Sequence, residues 1–161
     1  MKEKSVKELF DLSDRVAIVT GGGTGLGFRS AHALAECGAS VIIASRRREL
    51  CEKAAERINE ETDGEAVAYR LDVRDPEQVQ KLVEVVHKQF GRIDIRVNNS
   101  GVNRHNPIDK ADLEDWREII DTNLTGTFLC CRAVVPIMIG QRYGKIINIG
   151  SIYGVVSGVP L

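Results

Sequence analysis

A chain of 161 residues, 43% of them hydrophobic and with a formal charge of -1, has the size and composition of one globular domain with a core of its own. That charge balance gives neither nucleic acid nor an anionic membrane surface a footing as a partner. Met1 to Ser13 is charged and lacks an apolar stretch of signal-peptide length, and no later segment reads as long and apolar enough to span a bilayer, so a cytoplasmic location is expected.

The first predicted strand is Val16 to Thr20, and Thr20-Gly21-Gly22-Gly23-Thr24-Gly25-Leu26-Gly27 follows it directly. Glycines at 21, 25 and 27 admit turn conformations closed to residues with a Cβ. They also let a diphosphate approach the N–H groups at the positive end of a helix expected over Gly25 to Cys37. The spacing is T-G-x-x-x-G-x-G. G-x-G-x-x-G is not met from Gly21, because Leu26 stands where its third glycine would be.

Further along, strands are expected over Ser40 to Ser45, Ala66 to Asp72, Ile93 to Asn98 and Lys145 to Gly150, and helices over Arg47 to Thr62, Pro76 to Phe90 and Leu113 to Ile139. Asp75-Pro76 is a helix start, a capping side chain followed by proline at the first helical position. Strand and helix alternate without repeat or linker, which predicts an α/β, Rossmann-type, doubly wound parallel sheet in a single domain over residues 1–161. Such sheets bind ligands beyond the carboxyl ends of their strands, where strand order reverses. The four cysteines form no C-x-x-C pair, and His32, His87 and His105 do not stand at ligand spacing, so no metal site is expected.

Informative groups fall just after each strand: the glycine turn at 20 to 27, Leu71-Asp72-Val73, Asn98-Asn99-Ser100-Gly101, Asn123 within Thr122-Asn123-Leu124-Thr125-Gly126, and Ile147-Asn148-Ile149-Gly150-Ser151. In this order and spacing the chain, from about residue 13 to its end, resembles the short-chain dehydrogenase/reductase family. Leu9-Phe10-Asp11-Leu12-Ser13 is similar to the lead-in of members acting on sugar acids, such as gluconate 5-dehydrogenase. The resemblance implies hydride transfer between a nicotinamide cofactor and a hydroxyl or carbonyl carbon of a small molecule, and a homo-oligomer for a full-length form.

By that resemblance, Gly21, Thr24, Gly25, Leu26 and Gly27 cradle the diphosphate, and Asp72 with Val73 meets the adenine. Asn99, Ser100 and Gly101 line the cofactor ribose, Ser100 standing where the family usually has alanine. Asn123 would hold a water in a proton relay, and Ser151 would donate a hydrogen bond to the substrate carbonyl, steadying the charge that develops there. His105 and Asn106 are read as solvated loop residues outside the site. At the end of the second strand an Asp or Glu would hold a ribose 2′-hydroxyl and repel a 2′-phosphate. The chain has Ser45 there, followed by Arg46 and Arg47, whose guanidinium groups suit a phosphate, so NADP is favoured over NAD.

The family's proton donor is the tyrosine of a Tyr-x-x-x-Lys pair beyond the serine. Tyr69, Tyr143 and Tyr153 are followed four places on by Val73, Ile147 and Ser157, and the sequence stops at Leu161. A truncated sheet, about five of seven strands and incomplete at the C-terminus, is therefore expected, with its last strand left as an apolar edge and no turnover by these residues alone. Two other readings stay open, a catalytically inactive nucleotide-binding module and a degenerate fragment that does not fold alone. Arg96 stands at a position of a central strand that is usually apolar in the family, where it must reach a rim, pair with a carboxylate, or destabilise the core by several kcal/mol.

Overall fold

The computed structural model describes residues 5–104, 106–154 and 156, and His105 lies outside the described residues. In chain order the elements are α1 (Val6–Leu9), β1 (Val16–Thr20), α2 (Gly25–Glu36), β2 (Ser40–Ser45), α3 (Arg48–Glu61), β3 (Ala66–Arg70), α4 (Pro76–Phe90) and β4 (Ile95–Asn98). A 3-10 turn (Ile108–Lys110), α5 (Leu113–Ile120), a π-helical segment (Asp121–Thr125), α6 (Gly126–Gly140), β5 (Lys145–Asn148) and a 3-10 turn (Ile152–Gly154) complete the described residues.

The five strands form one sheet in the order β3-β2-β1-β4-β5, every neighbour parallel. Strand alternation sends successive side chains to opposite faces, so each strand feeds two cores. Ala17, Val19, Val41, Ile43, Ile95 and Val97 meet Phe28, Ala31 and Ala35 of α2 and Cys51, Ala54 and Ile58 of α3. On the other face Val16, Ile18, Ile42 and Ala44 meet Val79, Leu82, Val83 and Val86 of α4 and Cys130, Val134 and Met138 of α6. Cys51 and Cys130 thus serve as small core residues. The sheet grows outward from β1 in both directions, and the reversal between β1 and β4 opens a crevice at their carboxyl ends.

Three sequence expectations need correction. β3 ends at Arg70, two residues before Asp72, β4 begins at Ile95 and β5 ends at Asn148. The helix expected as one piece over Leu113 to Ile139 changes pitch at Asp121–Thr125, where the Asn123 amide is held from outside the helix: it accepts from the Val102 N–H (2.9 Å) and donates to the Val102 carbonyl (2.9 Å). Finally, Leu113–Gly140 is, at 28 residues with a mean hydropathy of 1.4, long and apolar enough to cross a membrane by length and composition, contrary to the expectation for any segment. Its apolarity has a local use, since Cys130, Val134 and Met138 form part of the sheet core.

Asp94, fully buried just before β4, closes the lower end of the sheet. It accepts from Arg92 Nε (2.7 Å), Arg15 Nη1 (3.0 Å) and the Val16 N–H (3.0 Å). Burial pushes its carboxyl up, and the hydrogen bonds from Arg92, Val16 and Arg15 outweigh that and hold it below the ordinary aspartate range. A depressed folded value contributes stability that is present above the unfolded value, about 4, and is lost as pH falls through the folded value. Asp94→Asn is therefore expected to cost about 1–3 kcal/mol at neutral pH. It should also shrink the loss of stability seen below about pH 4, both read from urea unfolding across pH.

Of the courses open to Arg96, the structure leaves the costly one, an incompletely paired buried guanidinium. It reaches no rim and no carboxylate: it is 1% exposed, donates from Nε to Asn98 Oδ1 (2.7 Å), and leaves Nη2 without a hydrogen-bond partner. Asn98 in turn donates to Asn148 Oδ1 (2.8 Å) and Cys131 Sγ (3.2 Å), tying β4 to β5 and α6. β5 is exposed along its length, and Ile147 and Ile149 are open to solvent at that edge.

Candidate functional site

A cleft of about 250 Å³ lies beyond the carboxyl ends of β1, β2, β3 and β4. Its lining joins Gly21 and Thr24 after β1, Ser45, Arg46 and Arg47 after β2, Asp72 and Val73 after β3, and Asn99, Ser100 and Gly101 after β4. Ten of the residues expected to hold a cofactor thus meet in one place. Gly25, Leu26 and Gly27 do not line it: Leu26 points to solvent, and Gly27 lies behind the turn in the first turn of α2.

The turn is held by side chains from two strands. Thr20 Oγ1 donates to the Val97 carbonyl and accepts from the N–H groups of Asn99 (3.2 Å) and Ser100 (3.4 Å). Asn99 Nδ2 donates to the carbonyls of Thr20 and Gly21 (3.2 Å each), so this amide builds the turn. Gly21 has φ +64°, and a Cβ on Gly27 would collide with the Gly21 carbonyl and the Asn99 amide. A diphosphate fits here for an electrostatic reason. α4 and α5 cap their N-termini with Asp75 and Asp112, whereas α2 begins at Thr24 with no side-chain cap and no acid in its first turn, leaving the donors beside the cleft for an anion.

At the other end of the cleft Ser45 Oγ donates to the Arg47 carbonyl (3.2 Å) and touches Cys51 Sγ (3.1 Å), whose thiol burial pushes up. Arg46 Nη1 stands 3.9 Å from Glu118 Oε1 of α5. Asp72 is gripped by Arg74 through Nη2 to Oδ2 (2.6 Å) and Nε to Oδ1 (3.0 Å), and the Arg74 side-chain hydrogen bond holds its carboxyl below the usual range. The Arg74 backbone N–H also donates to Oδ1 (3.1 Å), and Nε is shared with Oδ2 (3.1 Å), so Arg74 engages both carboxylate oxygens twice.

Residues 15–160 match the short chain dehydrogenase family. The chain belongs to that family. It is 43% identical over 143 residues to an uncharacterized oxidoreductase, YxjF, of Bacillus subtilis, covering 88% of this chain and 55% of that protein. It is 38% identical to an NADP-dependent mannitol dehydrogenase of Alternaria alternata, covering 96% of this chain and 59% of that protein. The crystal structure of a short-chain type dehydrogenase/reductase from Mycobacterium marinum superposes with a TM-score of 0.92 at 37% identity, over 97% of this chain and 61% of that one. The chain therefore spans little more than half the length of the relatives it matches.

In this short-chain dehydrogenase chain the two residues expected to act in chemistry stand apart from the cleft lining. The Asn123 side chain is committed to both polar groups of Val102, and through Val102 and Gly101 it braces the cleft wall. Ser151 is exposed after β5, where its Oγ accepts from the Tyr153 N–H (3.2 Å). Sequence reasoning missed Leu71, Val102 and Thr122 as lining residues. Thr122 stands inside a motif already singled out, and its buried Oγ1 has no hydrogen-bond partner.

Proposed function

We propose that the cleft binds NADP(H) and that the chain serves an oxidoreductase moving a hydride between NADP(H) and a hydroxyl or carbonyl carbon of a small molecule, with polyols and sugar acids as the substrate class. The observation that carries this is the uncapped N-terminus of α2 behind the glycine turn, in one cleft with the arginines that follow β2. When bound, the cofactor would supply the hydride donor or acceptor. The donors at Gly21 to Gly27 hold the diphosphate, Ser45, Arg46 and Arg47 take the 2′-phosphate, and Asp72 with Val73 meets the adenine. Asn99 fixes the turn, Asn123 fixes the wall at Val102, and Ser151 orients a substrate carbonyl. The name of the NADP-dependent mannitol dehydrogenase supports both the cofactor and the substrate class.

Calorimetric titration of the chain with NADPH and NADH tests the reading. NADPH is expected to bind at least about tenfold more tightly, since charge-assisted hydrogen bonds to a phosphate are worth about 1.5–3 kcal/mol. Arg46→Gln and Arg47→Gln together should remove that difference while leaving NADH affinity in place. Equal affinities in the unaltered chain, or a preference for NADH, would contradict it.

A further inference from the structure

Arg46 is not alone at the mouth of the cleft. Glu118, most of its side chain buried, lies between two cations from different loops: Arg104, after β4, makes a close ion pair with it, and Arg46, after β2, faces it at 3.9 Å. Arg104 is held a second time by Asp115, one turn earlier on α5, at 3.3 Å, and Asp115 also accepts from Asn106 Nδ2 (2.8 Å). The Glu118 carboxylate is thus a fixed negative charge. Its contact with Arg46 is of another kind, because 3.9 Å is beyond hydrogen-bond reach and half of the Arg46 side chain is in solvent. Attraction biases the guanidinium toward α5 without using up its donors.

We propose that Glu118 is a specificity-determining residue that weakens the hold of Arg46 on a 2′-phosphate, and so tunes how strongly the site prefers NADP(H) to NAD(H). This rests on the reading of the cleft as an NADP(H) site. A 2′-phosphate engaging Arg46 brings a dianion toward the same guanidinium that Glu118 attracts. It must therefore compete with an internal counter-ion and bear its repulsion. A nucleotide with a plain 2′-hydroxyl meets neither effect. Asp72 also acts on Arg46 through its charge but is gripped by Arg74, and Asp115 is held by Arg104 and Asn106, whereas Glu118 stands at ion-pair distance from Arg46 itself. Glu118 is therefore the carboxylate whose removal alters the field at Arg46 most directly.

The test uses adenosine 2′,5′-bisphosphate and adenosine 5′-monophosphate as probes, titrated calorimetrically into the full chain, its Glu118→Gln form, and the pair Arg46→Gln and Arg46→Gln with Glu118→Gln. Glu118→Gln is expected to tighten the bisphosphate roughly two- to fivefold, the range of a partly exposed ion pair, and to leave the monophosphate unchanged. In the Arg46→Gln background the same substitution should have no effect, because the two residues act through each other. Asp115→Asn removes an equal charge from the same helix without facing Arg46, and should not tighten the bisphosphate.

Unchanged or weakened bisphosphate binding in Glu118→Gln, with the unaltered chain still preferring the bisphosphate, overturns this inference alone. The same tightening from Asp115→Asn also overturns it, by reducing it to a general charge effect. If the unaltered chain does not prefer the bisphosphate, the NADP(H) reading fails and this inference falls with it.

Discussion

Gly27→Ala is expected to weaken nucleotide binding at least about tenfold and to destabilise the fold. The added Cβ has no room: it meets the Gly21 carbonyl and the Asn99 amide, and neither is the loose end of a flexible side chain. The carbonyl is backbone in a turn with φ +64°, and the amide is bonded to both Thr20 and Gly21. Relief requires α2 to move off the sheet or the turn to open, and either separates the helix N-terminus from the cleft. Overpacking of this kind costs about 1–3 kcal/mol in stability. A comparable loss in binding raises the dissociation constant for NADPH at least about tenfold. Thermal unfolding and titration of the same sample read both effects. Gly140→Ala is the matched control, since a Cβ there meets nothing and φ is not in the left-handed region, so its stability should be unchanged or slightly raised.

Arg96→Leu is expected to stabilise the chain by about 1–3 kcal/mol, an unusual direction for a core substitution. The guanidinium is buried between the sheet and α6 with no carboxylate beside it, burial disfavours its charge, and Nη2 has no hydrogen-bond partner. Leucine removes that penalty and adds apolar contact among Cys130 and its neighbours. Against this stands Asn98 Oδ1, which loses the Arg96 donor, while the Asn98 amide nitrogen keeps Asn148 and Cys131. The desolvated charge is the larger of the two effects. Guanidinium chloride unfolding measures the sign directly, and a midpoint below that of the unaltered chain would mean that the Arg96–Asn98 bond outweighs the buried charge.

The sheet was legible because its signals are local. Apolar runs bounded by glycine, the Asp75-Pro76 start and the glycine turn each declare themselves within a few residues. The cleft was legible in part for the same reason, since parallel topology delivers every post-strand residue to one end. What could not be read is which partner each polar side chain takes once folded. Asn99 and Asn123 were expected at cofactor and water. Their amides bond backbone at Thr20, Gly21 and Val102, groups up to 79 positions away in sequence. The same limit hid the change of helix pitch at Asp121–Thr125, where Asn123 is bonded to Val102 of a separate loop. Glu118 was invisible for a related reason: only folding brings a carboxylate of α5 to the arginine that follows β2.

Amide chemical-shift mapping of the isotopically labelled chain with NADPH is the most direct test of the central claim, that the cleft after β1 to β4 is a nucleotide site. Saturable shifts are expected at Gly21 to Gly27, at Ser45 to Arg47, at Asp72 and Val73, and at Asn99 to Gly101, with the Ser45 to Arg47 shifts much reduced when NADH replaces NADPH. Shifts that leave these four segments untouched, or that gather at the exposed edge of β5 instead, would contradict it.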